Sequence, residues 1–240
     1  MANFADFFTE KGFACQCPAY RFHDPSPLVE QASQISGLSI ADYVEDIASS
    51  IEALHARPIL IGHSLGGVIA QKLAARGLAT ALVLLNGSVN WGVLPTTDQE
   101  RELAKTLISA GAFWEGTLLP DFETMSRFGL NRLTPDEQQR VFSRMGPESG
   151  RVMFELFFWM FDVNQTTKID YDAVTCPVLV VSGSEDLAVP PSTSRLIAER
   201  HGEHATFHEA SGYGHYLTLE PAWREVAEFC AEWIDLRVKK

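Results

Sequence analysis

Pro58-Ile59-Leu60-Ile61-Gly62-His63-Ser64-Leu65-Gly66-Gly67-Val68-Ile69-Ala70 is the stretch that decides how this chain folds. Residues 59–61 are β-branched and aliphatic with no polar interruption, the pattern of a short strand covered on both faces. Beyond Ser64 the period changes. Leu65, Val68, Ile69 and Leu73 share one helical face, Gln71, Lys72 and Arg76 the other, and Gly77 follows as a stop. Between strand and helix lies Gly62-x-Ser64-x-Gly66. Small residues on either side let the chain turn sharply enough to stand the serine hydroxyl clear of the sheet. It then sits at a helix N-terminus, where backbone N–H groups favour developing negative charge. Three fixed positions arise by chance in roughly one chain in a dozen of this length. The strand before the serine and the amphipathic helix behind it therefore carry the argument.

The 240 residues include 31 acidic and 19 basic side chains, a net charge of −12. No basic cluster offsets it, which excludes a nucleic-acid or anionic-membrane surface. The length allows one sizeable core and one domain. The four cysteines, Cys15, Cys17, Cys176 and Cys230, show no metal or redox spacing and read as small buried thiols. Neither a metal nor an organic cofactor is implied. The N-terminus lacks the basic and unbroken apolar regions of a signal peptide, and the longest apolar run, residues 156–161, is too short to span a bilayer. The expectation is a soluble, cytoplasmic protein without a membrane span. Oligomeric state leaves no signal in the sequence.

Working outward, residues 3–11 read as a helix with Phe4, Phe7 and Phe8 inward, and residues 13–17 as a strand. Residues 19–37, polar with Pro25, Pro27 and Gly37, read as a loop. Ser39 caps a helix whose stripe is Ile40, Tyr43, Val44, Ile47, Ile51 and Leu54, and residues 80–85 form the next buried strand. This alternation predicts an α/β fold: a mostly parallel sheet with helices on both faces. Residues 88–165 hold no convincing strand. Helices are predicted near 97–110, near 135–145 behind the capping box Thr134-Pro135-x-Glu137, and near 151–161. The last is apolar on almost every side except Glu155. Strand, helix, strand and helix then follow near 176–183, 192–201, 205–208 and 221–236.

A serine hydroxyl needs a base to take its proton and an acid to orient that base. Both belong in loops at the carboxyl ends of strands. The strand ending near Leu85 is followed by Asn86, Gly87 and Ser88, with no carboxylate; the strand ending at Ser182 is followed by Glu185 and Asp186, of which Asp186 lies beside the turn. Of the seven histidines, His63 lies within the elbow and points away. His201, His204 and His208 belong to a helix end and an edge strand. His215 alone sits in a glycine-rich loop, Ser211-Gly-Tyr-Gly-His-Tyr216.

Gly62-His63-Ser64-Leu65-Gly66-Gly67, Ser182-Gly-Ser-Glu-Asp186 and Gly214-His215, in that order, resemble the α/β-hydrolase superfamily over nearly the whole chain. The resemblance implies residues 1–87 and 166–240 as a hydrolase core and 88–165 as a helical cap. It makes Ser64 the nucleophile, His215 the general base and acid, Asp186 the orienting carboxylate and the Leu65 N–H an oxyanion donor. Aromatic residues of the cap, Trp91, Trp114, Phe154 and Phe158, are expected to line an apolar pocket. The implied activity is serine hydrolysis of a small apolar ester or related acyl compound. A non-catalytic binding protein for a small ligand, or a truncated hydrolase, stays open beside it. The resemblance also implies a strand ahead of the first helix, ending in a His-Gly loop that supplies a second oxyanion N–H. Residue 1 enters that helix directly, so the expectation is a chain that starts late or a sheet closed around the absence, with weak turnover.

Overall fold

The computed structural model describes residues 1–23, 28–109 and 111–238. Helices α1 (Ala2–Glu10), α2 (Leu28–Ile35) and α3 (Ile40–Glu52) lead to β1 (Ile59–His63), α4 (Leu65–Ala75) and β2 (Ala81–Leu85). The next segment holds α5 (Asp98–Ser109), β3 (Thr117–Leu118), α6 (Phe122–Thr124), α7 (Pro135–Phe142), β4 (Glu148–Ser149) and α8 (Gly150–Phe157). The chain then returns as β5 (Val178–Gly183), α9 (Pro191–Arg200), β6 (Ala205–Ala210) and α10 (Trp223–Arg237). The sheet order is β1–β2–β5–β6 and every neighbouring pair is parallel.

Two-residue periodicity sorts the strand side chains onto two faces. Leu82, Leu84, Val178 and Val180 join α3, α4 and α9 through Ile40, Val44, Val68, Leu73 and Ile197. Ala81, Val83, Leu179 and Val181 face α1 and α10, where Phe4, Phe7, Phe8, Val226, Cys230 and Ile234 are buried. Val152 and Leu156 of α8 also enter the first cluster, so the segment between β2 and β5 is anchored in the main core. Buried Glu155 reinforces that anchor. Its carboxylate accepts from Ser39 Oγ at 2.8 and 2.9 Å and from Ile40 N–H at 2.8 Å, at the N-terminus of α3, while Arg151 Nε donates to it at 2.9 Å. A carboxylate suits that place because a helix start presents unpaired N–H groups and positive potential.

Several expectations need correction. Residues 13–17 form no strand, and Cys15 and Cys17 are exposed, so neither thiol is buried. A two-period pattern becomes a strand only where a neighbouring ladder takes its N–H and C=O groups and a face is covered. β1 is packed on both faces as expected, Leu60 against the first cluster and Ile59 and Ile61 against the second. Among the described residues, however, it pairs with β2 alone and its apolar residues are half-buried, the position of an edge strand. Within the expected loop 19–37, Leu28–Ile35 is helical; Pro25 and Pro27 lie outside the described residues. Residues 88–165 do contain strands, the short antiparallel pair β3–β4 with Thr117 opposite Ser149. Gln71, expected on the outer face of α4, is fully buried. Its amide donates to Gly67 O, and its Oε1 lies 3.0 Å from Nε2 of buried His201 and accepts from Asn90.

Candidate active site

Ser64 stands between β1 and α4 with φ +51° and ψ −122°, a conformation that non-glycine residues rarely take. Its N–H donates to Leu85 O at 3.1 Å, so the last rung of the β1–β2 ladder holds the bend. Close packing makes the bend possible. A Cβ on Gly62 would lie 2.3 Å from Gly66 O, and one on Gly67 would lie 2.9 Å from the Cα of Gly87. The N–H of Leu65, first residue of α4, has no acceptor within its own helix and faces the same end of the sheet as the serine.

His215 Nε2 lies 3.0 Å from Ser64 Oγ, and His215 Nδ1 lies 2.8 Å from Asp186 Oδ2. The other carboxylate oxygen of Asp186 accepts from the N–H groups of Ala188 and Val189 at 2.8 and 2.9 Å. With two backbone N–H groups on Oδ1, the carboxylate presents Oδ2 as an acceptor to the imidazole, which assigns the ring hydrogen to Nδ1. Nε2 is then free to accept from the serine. Asp186 and His215 are buried, whereas Ser64 is partly open to solvent. Glu185, the other carboxylate of the acid loop, turns outward to pair with Arg132 at 2.9 Å.

Three further side chains hold the loop that carries His215, the candidate base, and the sequence reading assigned none of them that role. Asn86, fully buried at the end of β2 with φ +46°, donates from Nδ2 to both Gly214 O and His215 O at 2.8 Å and accepts from Gly183 N–H at 2.8 Å. It therefore ties the acid strand to the base loop. His63 Nε2 lies 2.7 Å from His215 O, which only an N–H can satisfy. Burial, then the neighbouring His215, pushes the His63 pKa down to about 3, so it serves as a neutral donor. Glu220 accepts from Gly214 N–H at 2.9 Å, and burial pushes its carboxyl up to about 7. A strand-end Asn and a Glu five residues past the histidine are visible in the sequence, but neither carries a spacing that marks it.

The segment between β2 and β5 reaches this loop from outside. Asn131 Nδ2 donates to Glu185 O and Arg132 Nε to Gly212 O, both at 2.9 Å. Gly129 packs so near Tyr216 that a Cβ would lie 3.2 Å from its Cε2. The four aromatic residues expected to line a pocket make the following ring contacts. Trp114 packs on Phe113 and Phe154, and Phe154 stacks on Phe158 with ring centres 6.0 Å apart. Trp91 packs on Trp159 at 5.2 Å. Leu107, Phe113 and Phe158 form the buried part of a small cluster against which Phe154 packs. A surface concavity of about 470 Å³ lies at residues 168–172 and includes no triad side chain. Among the described residues no cluster of His, Cys, Asp and Glu suits a metal ion, and no helix is long and apolar enough to cross a membrane.

Comparison with known proteins places the fold. The model of the alpha/beta hydrolase family matches residues 10–229. A protein of Pantoea ananatis that bears the name carbamate hydrolase RutD is 29% identical over 204 residues, 77% of this chain; the chain spans 66% of that relative's length, just under two thirds. Among solved structures, the monoacylglycerol lipase of Paleococcus ferrophilus aligns at 25% identity and TM-score 0.58, over 83% of this chain and 76% of the lipase. The Arabidopsis methylesterase MES16 aligns at 14% identity and TM-score 0.70, over 98% and 92%, which speaks for the fold alone. With a family match over nearly its whole length and the same parallel sheet beneath it, this chain belongs to the alpha/beta hydrolase family.

Proposed function

We propose that this chain is a serine hydrolase that cleaves an ester or related acyl compound with an apolar moiety through an acyl-enzyme. The observation that carries the reading is the unbroken line from Ser64 Oγ through His215 to Asp186, at 3.0 and 2.8 Å. His215 Nε2 takes the serine proton as Oγ attacks the acyl carbon, and Asp186 stabilises the imidazolium that forms. The carbonyl electron pair moves onto oxygen, where the Leu65 N–H meets it. His215 then returns the proton to the leaving group, and water repeats the sequence to release the acid. The hold of Asn131 and Arg132 on the acid and base loops supports a capping role for residues 88–165. An apolar acyl group is suggested by the aromatic content of that segment. The name of the Pantoea relative adds carbamates to the compounds worth assaying.

The test is labelling by a fluorophosphonate, read by intact mass, beside hydrolysis of p-nitrophenyl esters of increasing chain length. The expectation is one adduct at Ser64, none in Ser64→Ala, and a rate that rises beyond acetate. An unlabelled, inactive but folded protein would overturn the reading.

A further inference from the structure

Ser88 lies three residues past the end of β2 and is 3% exposed. Among the described residues its hydroxyl has one hydrogen-bond partner, the nucleophile: Ser88 Oγ is 3.1 Å from Ser64 Oγ. The backbone fixes this approach, since Ser88 N–H donates to Ser64 O at 3.1 Å. The contact between Gly67 and Gly87 locks the two turns together from below. A buried hydroxyl needs a partner, and here the fold supplies only the reacting oxygen.

The direction of that bond follows from counting hydrogens. The Asp186 carboxylate takes the His215 Nδ1 hydrogen, so Nε2 accepts and the Ser64 hydrogen is committed to it. Ser64 Oγ can then only accept from Ser88. We infer that Ser88 is a catalytic residue: its O–H donates to Ser64 Oγ in the resting enzyme and to the oxyanion in the tetrahedral intermediate. This rests on the reading of Ser64 as nucleophile. As Oγ bonds to the acyl carbon its proton goes to His215 Nε2, and the carbonyl π pair becomes a lone pair on the former carbonyl oxygen. Bonded to carbon, Oγ is a poorer acceptor. The new oxyanion hangs on that same carbon, and rotation of the Ser88 hydroxyl reaches it. The Ser88 O–H bond is never broken. Ser88 would thus join the Leu65 N–H as a second donor where charge develops, the place where a preorganised hydrogen bond lowers the barrier most.

The experiment compares wild type with Ser88→Ala, Ser88→Cys and Ser88→Thr on p-nitrophenyl butyrate, alongside melting temperatures and the rate of fluorophosphonate labelling. A donor used in the transition state predicts that kcat and kcat/KM fall together by about 10- to 100-fold in Ser88→Ala, with KM little changed. Ser88→Cys, of similar size but a weak donor, should fall as far, and Ser88→Thr should recover most of the rate. Rates within two-fold of wild type in Ser88→Ala overturn the inference. So does a full rate in Ser88→Cys, which would assign the loss to volume, or a loss tracking melting temperature across all three variants. Absence of labelling and turnover in the folded wild type would instead remove the serine-hydrolase reading itself.

Discussion

The three glycines around Ser64 are not equivalent, and single alanine substitutions should separate them by sign. At Gly62 a Cβ would sit 2.3 Å from Gly66 O and 2.8 Å from Gly67 N, both backbone atoms that cannot swing aside. The first turn of α4 would have to move, which places Gly62→Ala at or above the ~3 kcal/mol upper end of overpacking penalties. At Gly67 the nearest atom is the Cα of Gly87 at 2.9 Å, again backbone. Overpacking there costs about 2 kcal/mol, from which alanine's helix preference returns ~0.5 kcal/mol in a first turn. At Gly66 the nearest atom is Tyr20 Oη at 3.8 Å, an ordinary contact, so only the helix preference remains and Gly66→Ala should stabilise by ~0.5 kcal/mol. For a chain of this size each kcal/mol moves the melting temperature by roughly 2–4 °C. The expected order is therefore a rise of about 1–2 °C for Gly66→Ala, a fall of about 3–6 °C for Gly67→Ala and a larger fall for Gly62→Ala. Differential scanning calorimetry gives the order directly, and urea unfolding gives the free energies. A Gly66→Ala protein destabilised as much as Gly67→Ala would falsify the steric account of the elbow.

Asn86→Ala leaves Gly183 N–H and Gly214 O without the partner they share; the expected loss is about 2–4 kcal/mol in urea unfolding, with kcat down at least ~10-fold because the base loop is no longer tied to the acid strand. Glu155→Ala should lose about 2–4 kcal/mol, since Ile40 N–H and Ser39 Oγ stay buried, while Glu155→Gln keeps an acceptor and should lose less than half as much. Burial raises Glu220 from 4.5 to about 7, so the folded state binds the proton more tightly and stability falls as pH rises through that window. Allowing for partial solvent screening, Glu220→Gln should flatten that slope by ~1–2 kcal/mol while retaining an acceptor for Gly214 N–H. His63 and His201 have folded values pushed down by burial to about 3 and about 4, so each removes stability as pH falls below 6.5. Thermal melts of wild type at pH 4, 5, 6 and 7 should show this acid limb, and Glu220→Gln should leave it intact.

The elbow and the order Ser64, Asp186, His215 were legible because each depends on local features: a strand-to-helix change of period, and polar residues in turns behind apolar runs. The sheet was legible for the same reason, since β2 and β5 are apolar at every position or nearly so. What escaped depended on partners distant in sequence. Gln71 reads as a solvent-facing residue until His201, 130 positions later, comes to meet it inside the fold. Asn86 looks like an ordinary turn residue, and only the arrival of Gly183, Gly214 and His215 makes it a hub. Residues 13–17 alternate as a strand should, but local alternation cannot report that no ladder lies alongside. The aromatic residues of the insertion were visible as a group. Which of them meet, Trp91 with Trp159 and Trp114 with Phe113 and Phe154, is a matter of tertiary placement that composition does not carry.

The position of β1 bears on how the molecule loses activity. Among the described residues its ladder runs along one side only, to β2, and its apolar residues are half-buried while those of β2 are fully enclosed. With its apolar residues half-buried, β1 is expected to open locally at a lower free energy than β2. Ser64 hangs from the end of that strand, whereas Asp186 and His215 are held by β5 and the loop after β6. A partial opening would separate Ser64 from His215 and release the His63 bond to His215 O with most of the core intact. Amide hydrogens of residues 59–61 should accordingly exchange faster than those of residues 82–84, and heat inactivation should begin below the calorimetric transition.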